Sequence, residues 1–496
     1  MRAHDVEVVI EALAASGDGV ARVEGRAVHV AGALPGERVR LRVERDGAML
    51  RETLAASPER VDPRCAVFDR CGGCAWQHAS EAVQREARIT LLRRALPKDL
   101  REVPVAWHPS PSPWGWRTRA RVAWETHRKV AAVGFRARRA HDVVAIAACP
   151  VLDPRLEPAL ALLTAHLASV ARRGEVSIAI GAGGAPVASV HPDGDLGPDA
   201  YTACEALVSK GFEGVALWPP GASTAAVSGD ARPVIAGPDG APLVLSVDGF
   251  AQANAALNTA LAEAVARHAA PEGRRVLELY AGAGNFTVLL ARRAASVTAV
   301  EGDAGAAAAM RANLAARAIT NVTVRHEPAE ACADAKADVV VLDPPRTGAR
   351  TVAEALAKRS NVRAVVYVSC DPATLGRDLA VLSARYSVRA IEAFEMFPQT
   401  AHVETLVSLE RAGSAGSRGG RVVGSQAPTN HEDPRRAALP RRQAAIRAGA
   451  YLRALRLPRS RPRSMRPRVS RRDAPRGGVR RRGERGCGHV LQGVRG

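Results

Sequence analysis

The segment 274–303 restricts the fold more than any other part of the chain. It reads as an apolar strand, a glycine-rich turn, a helix and a second strand that ends at Glu301. Gly282 and Gly284 allow a ligand to approach the backbone closely, and an acid 19 residues after Gly282 can hold ribose hydroxyls. Thr287 stands where a third glycine would complete a dinucleotide motif. The pattern predicts a Rossmann-like α/β domain and favours S-adenosylmethionine, which has no pyrophosphate, over NAD.

Two more predicted strands end in reactive side chains. The run VVVL is followed by Asp343, and the run VVYVS is followed by Cys370 and Asp371. Because α/β sheets bind ligands at the carboxyl ends of their strands, Asp343 and Cys370 should share one crevice. Thr374 is predicted to cap a helix that begins at Leu375, and the helix dipole would favour the Cys370 thiolate. Taken alone, a cysteine at a strand end is more often a packing residue.

Glu404 opens the last apolar run, VETLVSL, after a polar loop. Its position in the sequence alone favours a solvated carboxylate. The alternative is that Glu404 faces the crevice and acts as a base.

A second cluster of reactive residues consists of cysteines. Cys65, Cys71 and Cys74 lie within ten residues, so their thiols can converge on one metal centre. Cys149 is the best candidate for a fourth ligand, and His78 is the alternative, which would indicate zinc. The spacing matches neither a zinc-finger pair nor the common ferredoxin run, so the residues alone leave the metal open.

A basic and aromatic segment follows a helix that is predicted over residues 81–96, with Ser80 as its N-cap. Alternating arginines on a strand share one face, and with nearby tryptophans they suit phosphate contact and base stacking by RNA. The alternative is a solvated strand face over an aromatic core. The candidate RNA-binding residues are Trp116, Arg117, Arg119 and Arg121.

Composition limits the remaining classes. The 496 residues are enough for about three domains. We expect no transmembrane helix, because no run of 18 uncharged apolar residues occurs. The acidic N-terminus does not resemble a signal peptide, so a cytoplasmic location is predicted.

The net charge of +20 comes almost entirely from residues 411–496, whose 23 arginines and four acids give +19. This tail cannot bury a core and is predicted to be disordered.

Residues 1–57 consist of short β-rich runs separated by glycines, which indicates a small barrel of the OB kind. The runs GDGVAR and PGERV within it resemble the TRAM domain, a module that binds RNA. A barrel without a ligand is the alternative, since a fold does not determine function.

Six motifs occur in order along the chain. They are Cys65-x5-Cys71-x2-Cys74 with Cys149-Pro, FAQAN, LELYAGAGNFT, DPPRTG, VSCDPATLGRDL and FPQTAHVE. On these motifs, residues 1–410 resemble the RNA (uracil-5-)-methyltransferases, in particular the iron–sulfur, TRAM-bearing branch that methylates 23S rRNA.

The resemblance implies roles for individual residues. Cys370 would be the nucleophile and Glu404 the base. A 4Fe–4S cluster would be held by Cys65, Cys71, Cys74 and Cys149. The S-adenosylmethionine site would be lined by Gln252, Tyr280, Gly282, Asn285, Glu301 and Asp343.

The chemistry of uracil explains why these residue types are needed together. Carbon 5 is too weakly nucleophilic to take a methyl group directly, but a thiolate that adds at carbon 6 makes it nucleophilic. A carboxylate must then remove the carbon-5 proton. A uracil inside a helix must also be flipped out, at a cost of a few kcal/mol.

The chain departs from the family pattern at two positions. Pro328 stands where relatives usually carry Asn or Asp, so one side-chain contact to the cofactor would be missing. Asp371 replaces the more usual Asn, and its charge would raise the pKa of the neighbouring thiol.

Three competing hypotheses remain open beside methylation of ribosomal uridine. The substrate could be transfer RNA instead of ribosomal RNA. The chain could be an enzyme that methylates the amino groups of bases, or an inactive iron–sulfur protein that binds RNA. Under each of these hypotheses we expect a monomer.

The predicted architecture has four parts. They are the barrel 1–57, a central α+β domain with the cluster and basic segment at 58–247, the Rossmann-like methyltransferase domain at 248–410, and the tail 411–496.

Overall fold

The computed structural model describes residues 4–412, except 45, 46 and 334. The prediction of a disordered tail lies outside the described residues, apart from 411 and 412. Within the described part, no helix combines the length and the apolar character needed to cross a membrane.

The N-terminal residues form two small three-stranded sheets around one apolar core. Ile10, Val30 and Leu41 are buried in this core. Gly17 has a positive φ of 89°, and a Cβ there would lie 2.2 Å from the carbonyl oxygen of Ala75, so the cysteine-rich segment packs directly on the barrel. The strands are β1 (His4–Val9), β2 (Ala12–Leu13), β3 (Gly19–Val23), β4 (Arg26–Val30), β5 (Arg38–Glu44) and β6 (Gly47–Ala55), in the orders β1-β5-β6 and β2-β3-β4.

The acidic residue of the run PGERV is Glu37, whose carboxylate is buried and has a structural role. Glu37 accepts hydrogen bonds from the side chain of Arg60 at 2.7 Å and from the backbone N–H of Leu34 at 2.8 Å. Burial alone would raise the pKa of Glu37, but these hydrogen bonds bring the pKa below its usual value. The ion pair joins the barrel to the segment that leads into the cysteines.

The predicted helix after the cysteines is α1 (Glu81–Ala95), and the Ser80 side chain accepts a hydrogen bond from Val83 N at 3.3 Å. A 3₁₀ turn (Lys98–Leu100) and the strand β7 (Val105–His108) follow α1.

The central domain is a seven-stranded sheet with two helices packed on it. Leu160, Leu163 and Leu167 form the buried face of α2, as expected from their three- and four-residue spacing. The strands and helices are β8 (Arg119–His127), β9 (Val130–Arg136), β10 (Val143–Ala145), a 3₁₀ turn (Pro154–Leu156), α2 (Glu157–Val170), β11 (Arg173–Ile180), β12 (Pro186–Pro192), α3 (Ala200–Ser209), β13 (Gly214–Leu217), β14 (Ala226–Gly229), β15 (Val234–Ala236) and β16 (Pro242–Val244). The sheet order is β10-β9-β8-β11-β12-β13-β14, and β15 pairs with β16.

The C-terminal domain is a Rossmann-like sheet, as predicted. Its elements are α4 (Ala255–Ala269), β17 (Arg275–Leu279), α5 (Thr287–Leu290), β18 (Ser296–Glu301), α6 (Ala304–Ala316), β19 (Val322–His326), a 3₁₀ turn (Ala329–Cys332), β20 (Val339–Leu342), α7 (Arg350–Lys358), β21 (Ala364–Ser369), α8 (Pro372–Leu382), β22 (Tyr386–Phe394) and β23 (Glu404–Arg411). The order is β19-β18-β17-β20-β21-β23-β22-β7. The first five strands in this order are parallel, and β23 is antiparallel to both of its neighbours.

The segment 81–108 packs with the C-terminal sheet, although it falls inside the central domain predicted from the sequence. β7 pairs in parallel with β22, and Leu92 of α1 and its C-cap residue Leu96 are buried in the same core as strands β17 and β20. A Cβ at Gly376 on α8 would lie 1.9 Å from the carbonyl oxygen of Ala95, so glycine permits this close helix contact.

The helix after Cys370 begins earlier than predicted. α8 starts at Pro372, and its N-cap is Asp371, whose carboxylate accepts a hydrogen bond from Thr374 N at 2.8 Å. The prediction of a Thr374 cap and a start at Leu375 was wrong, because proline suits the first helical turn and aspartate is a strong N-cap.

Candidate active site

A cavity of about 990 Å³ opens where the carboxyl ends of β17, β18, β20 and β21 meet the central domain. Strand order reverses between β17 and β20, since the chain runs to β18 and β19 on one side and to β21 on the other. Such a reversal leaves a crevice between the crossing connections. Asp343 and Cys370 both line this cavity, as predicted from their positions at strand ends.

Cys370 lies in the turn between β21 and α8 and is half-buried. Burial, and after it the carboxylates of Glu404 and Asp343, raise the pKa of its thiol to about 11. The direction of this shift is opposite to the effect expected from the helix N-terminus alone. The charge of Asp371 is not among the main causes of the raised pKa, and the Asp371 side chain is occupied in capping α8.

Glu404 is the first residue of β23 and is buried, with 2% of its surface exposed. Its Oε1 has no hydrogen-bond partner among the described residues. Burial and the nearby charge of Asp343 raise the pKa of Glu404 well above its usual value, and burial raises that of Asp343 to about 7. The interpretation of Glu404 as a solvated carboxylate was wrong. A buried carboxyl with a raised pKa in a cavity is suited to proton transfer.

Glu301, at the end of β18, joins the glycine-rich turn to the turn that follows β18. Its carboxylate accepts hydrogen bonds from the backbone N–H groups of Gly282 and Asp303, each at 2.7 Å. Gly282 and Tyr280 both have positive φ angles, of 58° and 63°. The Tyr280 hydroxyl donates to Glu330 at 3.0 Å on the cavity wall. These contacts fix the turn at the end of β17.

The remaining predicted cofactor-binding residues, Gln252 and Asn285, lie near the glycine-rich turn but do not both line the main cavity. Gln252 lines the main cavity, and its buried Oε1 lacks a partner in the part of the chain that the structure describes. Asn285 lines a smaller adjoining cavity, which Gln252 and Tyr280 also border. Its amide pairs reciprocally with that of Asn258 on α4, at 2.7 and 3.0 Å.

The four predicted ligand cysteines line a second, small cavity in the central domain. His78 does not line it, although His78 is buried and burial lowers the pKa of its ring to about 4. Within the described residues of 4–412, no three His, Cys, Asp or Glu side chains are arranged to hold a metal ion. Burial raises the pKa of Cys74 to about 12, and the neighbouring Cys149 adds to this.

The candidate RNA-binding residues are mostly occupied by contacts within the chain. Trp116 is buried and packs edge-to-face on Phe397. Arg117 lines the cysteine cavity, and Arg119 donates to the backbone oxygens of residues 248 and 249. Arg121 is exposed and lies 3.6 Å from Glu175. Of the four side chains, Arg121 alone offers its charge to solvent.

Sequence reasoning missed two polar residues of the site. Glu278 is buried under the glycine-rich turn, where it accepts a hydrogen bond from Thr287 at 2.7 Å, and burial raises its pKa to about 8. This contact gives Thr287 a role at the position of the absent third glycine. His402 lines the main cavity, and burial lowers its pKa. Its place in the FPQTAHVE motif was the available signal.

Comparison with known proteins fits this geometry. The family described as tRNA (uracil-5-)-methyltransferase matches residues 245–339 and 331–412, and the TRAM domain matches residues 2–48. The 23S rRNA (uracil(1939)-C(5))-methyltransferase RlmD of Pectobacterium carotovorum is 35% identical to this chain, over 82% of this chain and 93% of that protein. The chain belongs to the RNA uracil-5-methyltransferase family. It is an S-adenosylmethionine-dependent enzyme that methylates carbon 5 of uracil in RNA.

Further relatives agree with this membership. The RlmD of Pseudomonas putida is 36% identical over 81% of this chain and 92% of its own length. The crystal structure of the Pyrococcus abyssi tRNA (uracil-54, C5)-methyltransferase with S-adenosyl-L-homocysteine shares the fold, with a TM-score of 0.62 and 23% identity over 82% of this chain and all of that one. The predictions of a TRAM domain and a Rossmann-like methyltransferase domain are confirmed.

Proposed function

We propose that this enzyme methylates a uridine of 23S rRNA, equivalent to the one named for its relatives. One observation carries the chemistry: a thiol, Cys370, and two carboxyls, Asp343 and Glu404, line one cavity. The choice of RNA rests on the relatives, which are named for uracil 1939 of 23S rRNA and match more than four fifths of the chain. Because ribosomal RNA is the proposed substrate, the cytoplasm is the proposed location.

In the proposed mechanism, Cys370 attacks first. Its sulfur bonds to carbon 6 of the uracil, and the electron pair of the C5–C6 double bond makes carbon 5 nucleophilic. The thiol proton passes to a carboxylate, and Asp343, with a pKa of about 7, is ionised in part at neutral pH. S-adenosylmethionine, when bound, supplies the electrophilic methyl group that carbon 5 takes.

Glu404 completes the proposed reaction. Its carboxylate removes the carbon-5 proton, the electron pair restores the C5–C6 double bond, and the carbon–sulfur bond breaks to release Cys370. A buried, unpaired Oε1 supports this role, because a desolvated carboxylate is a stronger base than a hydrated one.

The cofactor would lie over the glycine-rich turn. Glu301 is suited to the ribose hydroxyls, and Gln252, Tyr280, Gly282, Asn285 and Asp343 border the main cavity or the one beside it. The unpaired Gln252 Oε1 supports a polar ligand there. Pro328 lines the same cavity but has no side-chain donor or acceptor to offer.

We propose that Cys65, Cys71, Cys74 and Cys149 hold a 4Fe–4S cluster, which is ligated by four thiolates. Their shared cavity supports this donor set, and His78 lies outside it. The four thiols of a cubane cluster bind four different irons, so they need not converge on a single point as the ligands of one zinc ion must. The cluster is not assigned a part in the methyl transfer.

RNA would be bound by the TRAM domain and by the central domain, where Arg121 is exposed on β8. Methylation of unmodified 23S rRNA and of unmodified tRNA, measured by mass spectrometry of digested nucleosides, tests the proposal. We expect 5-methyluridine in 23S rRNA. Its appearance in tRNA alone would replace the proposed substrate, and methylated amino groups instead of 5-methyluridine would overturn the proposed chemistry.

A further inference from the structure

The segment 395–403 connects β22 to β23 and forms part of the active-site wall. Phe397 and His402 from this segment line the main cavity, and Glu404 follows it directly. The conformation of the segment therefore sets where β23 begins and how the Glu404 side chain enters the cavity. Several of the polar contacts that hold the segment come from α1, over 300 residues away in sequence.

Arg88 of α1 is fully buried and binds the segment at three points. Its Nη1 donates to the Glu395 carboxylate at 2.7 Å, and its Nε donates to the backbone oxygen of Thr400 at 3.0 Å. Its Nη2 lies 3.4 Å from the backbone oxygen of Phe397. One rigid guanidinium therefore fixes both ends of the turn 395–400.

Gln84, one helical turn before Arg88, holds the middle of the same segment. Its side chain donates to Gln399 Oε1 at 2.9 Å and accepts from Gln399 N at 3.1 Å. Gln399 has a positive φ of 69°, which is uncommon for a residue other than glycine. Its backbone oxygen accepts from the N–H groups of Ala75 and Trp76, directly after Cys74. The turn is thus held by α1 and by the cysteine segment.

We propose that Arg88 and Gln84 are positioning residues for Glu404, and that they hold the turn 395–400 so that the base meets carbon 5 of the uracil. The inference rests on the proposed role of Glu404. Stability alone does not account for a buried arginine, because a well-packed apolar side chain at the same position is often as stabilising. The fork of Arg88 instead specifies the backbone path of the turn.

The proposal predicts which step fails when these contacts are broken. Addition of Cys370 to carbon 6 and methylation of carbon 5 do not need the base. Removal of the carbon-5 proton needs the base, and until that proton is removed the carbon–sulfur bond cannot break. A displaced Glu404 therefore leaves the methylated RNA bonded to Cys370, and this adduct survives a denaturing gel.

The test compares four variants of the full chain: Arg88→Met, Gln399→Ala, Glu404→Gln and Arg93→Met. Arg93 is an exposed arginine of α1 and serves as the matched control. Each is incubated with RNA and S-adenosylmethionine, and both turnover and the adduct fraction are measured. We expect Arg88→Met to lower kcat by about 10²-fold, the effect of a misplacement of about 1 Å, and to accumulate the adduct as Glu404→Gln does. Gln399→Ala should show a smaller loss of kcat and a smaller adduct fraction than Arg88→Met. Arg93→Met should match the wild type.

Thermal unfolding is followed for each variant, so that loss of fold is separated from loss of position. If Arg88→Met does not fold, Gln399→Ala decides. Suppose that Glu404→Gln accumulates the adduct. A folded variant at Arg88 or Gln399 that has a low kcat but no adduct, or that has unchanged turnover, would then overturn the inference. If Glu404→Gln itself forms none, the proposed role of Glu404 fails, and the inference fails with it.

Discussion

Two cavities in this protein are built around cysteine, and their surroundings differ. Cys370 is half-buried beside the carboxyls of Glu404 and Asp343, at the edge of a large cavity. The four predicted ligand cysteines line a small cavity together with Arg117 and several apolar side chains. Burial raises the pKa of the thiol in both places, to about 11 for Cys370 and about 12 for Cys74.

The comparison shows that the neighbours of a thiol, and not its pKa alone, indicate its use. Carboxyls beside Cys370 can accept its proton as a substrate enters, so the thiol can act once in each turnover. The described residues around the other four thiols include an arginine but no carboxylate that lines their cavity, and metal ions would replace their protons and offset the negative charge. Three predictions test this difference, in order of expected effect.

Cys370→Ala should abolish methylation, by about 10⁴-fold or more, because among the described residues no other thiol lines the cavity to bond to carbon 6. RNA affinity should be retained. Cys204→Ala, which changes a buried cysteine outside both cavities, is the control. Single-turnover transfer of a radioactive methyl group measures the effect, and residual 5-methyluridine formation at more than about a hundredth of the wild-type rate would contradict a covalent mechanism.

Cys149→Ser should lose most of the iron bound after anaerobic purification, and the protein should unfold at a lower temperature because metal binding stabilises the folded state. His78→Ala should keep its iron, since His78 lies outside the cysteine cavity. Iron and acid-labile sulfide analysis checks both variants. Zinc in the wild type, or iron loss on changing His78, would refute the proposed ligand set.

Alkylation of Cys370 by iodoacetamide, without RNA, should show a pH midpoint near 11. The negative charge of Glu404 disfavours the thiolate, so Glu404→Gln should move the midpoint down by about one pH unit. Alkylation of Cys204, whose pKa burial also raises to about 11, should not respond to this change, because Cys204 lines neither cavity. A midpoint in the wild type near the ordinary value for a thiol, about 8.5, would show that the helix N-terminus outweighs burial and the carboxylates.

The sequence predicted most of the fold because the relevant signals are local. Strand runs, the Ser80 cap and the glycine-rich turn depend on neighbours in sequence, and the structure has the corresponding elements. The strand ends at Asp343 and Cys370 indicated one edge of the sheet, and both residues line the main cavity.

The features that could not be predicted from the sequence depend on contacts between segments that are far apart along the chain. The burial of Glu404 results from the packing of β23 between β21 and β22. The raised pKa of Cys370 results from burial and from side chains that follow or begin two other strands. The pairing of β7 with β22 joins residues more than 280 apart. The arginines predicted to bind RNA alternate in the sequence, but backbone oxygens of another segment occupy Arg119.

The central claim is that Cys370 bonds to carbon 6 of the target uracil. The most direct measurement uses 23S rRNA in which 5-fluorouridine replaces uridine, because fluorine at carbon 5 leaves Glu404 no proton to remove. After incubation with S-adenosylmethionine and digestion, mass spectrometry identifies the modified peptide. We predict a methylated fluorouridine on the peptide that contains Cys370. An adduct on another cysteine, or methylated RNA without any adduct, would contradict the account.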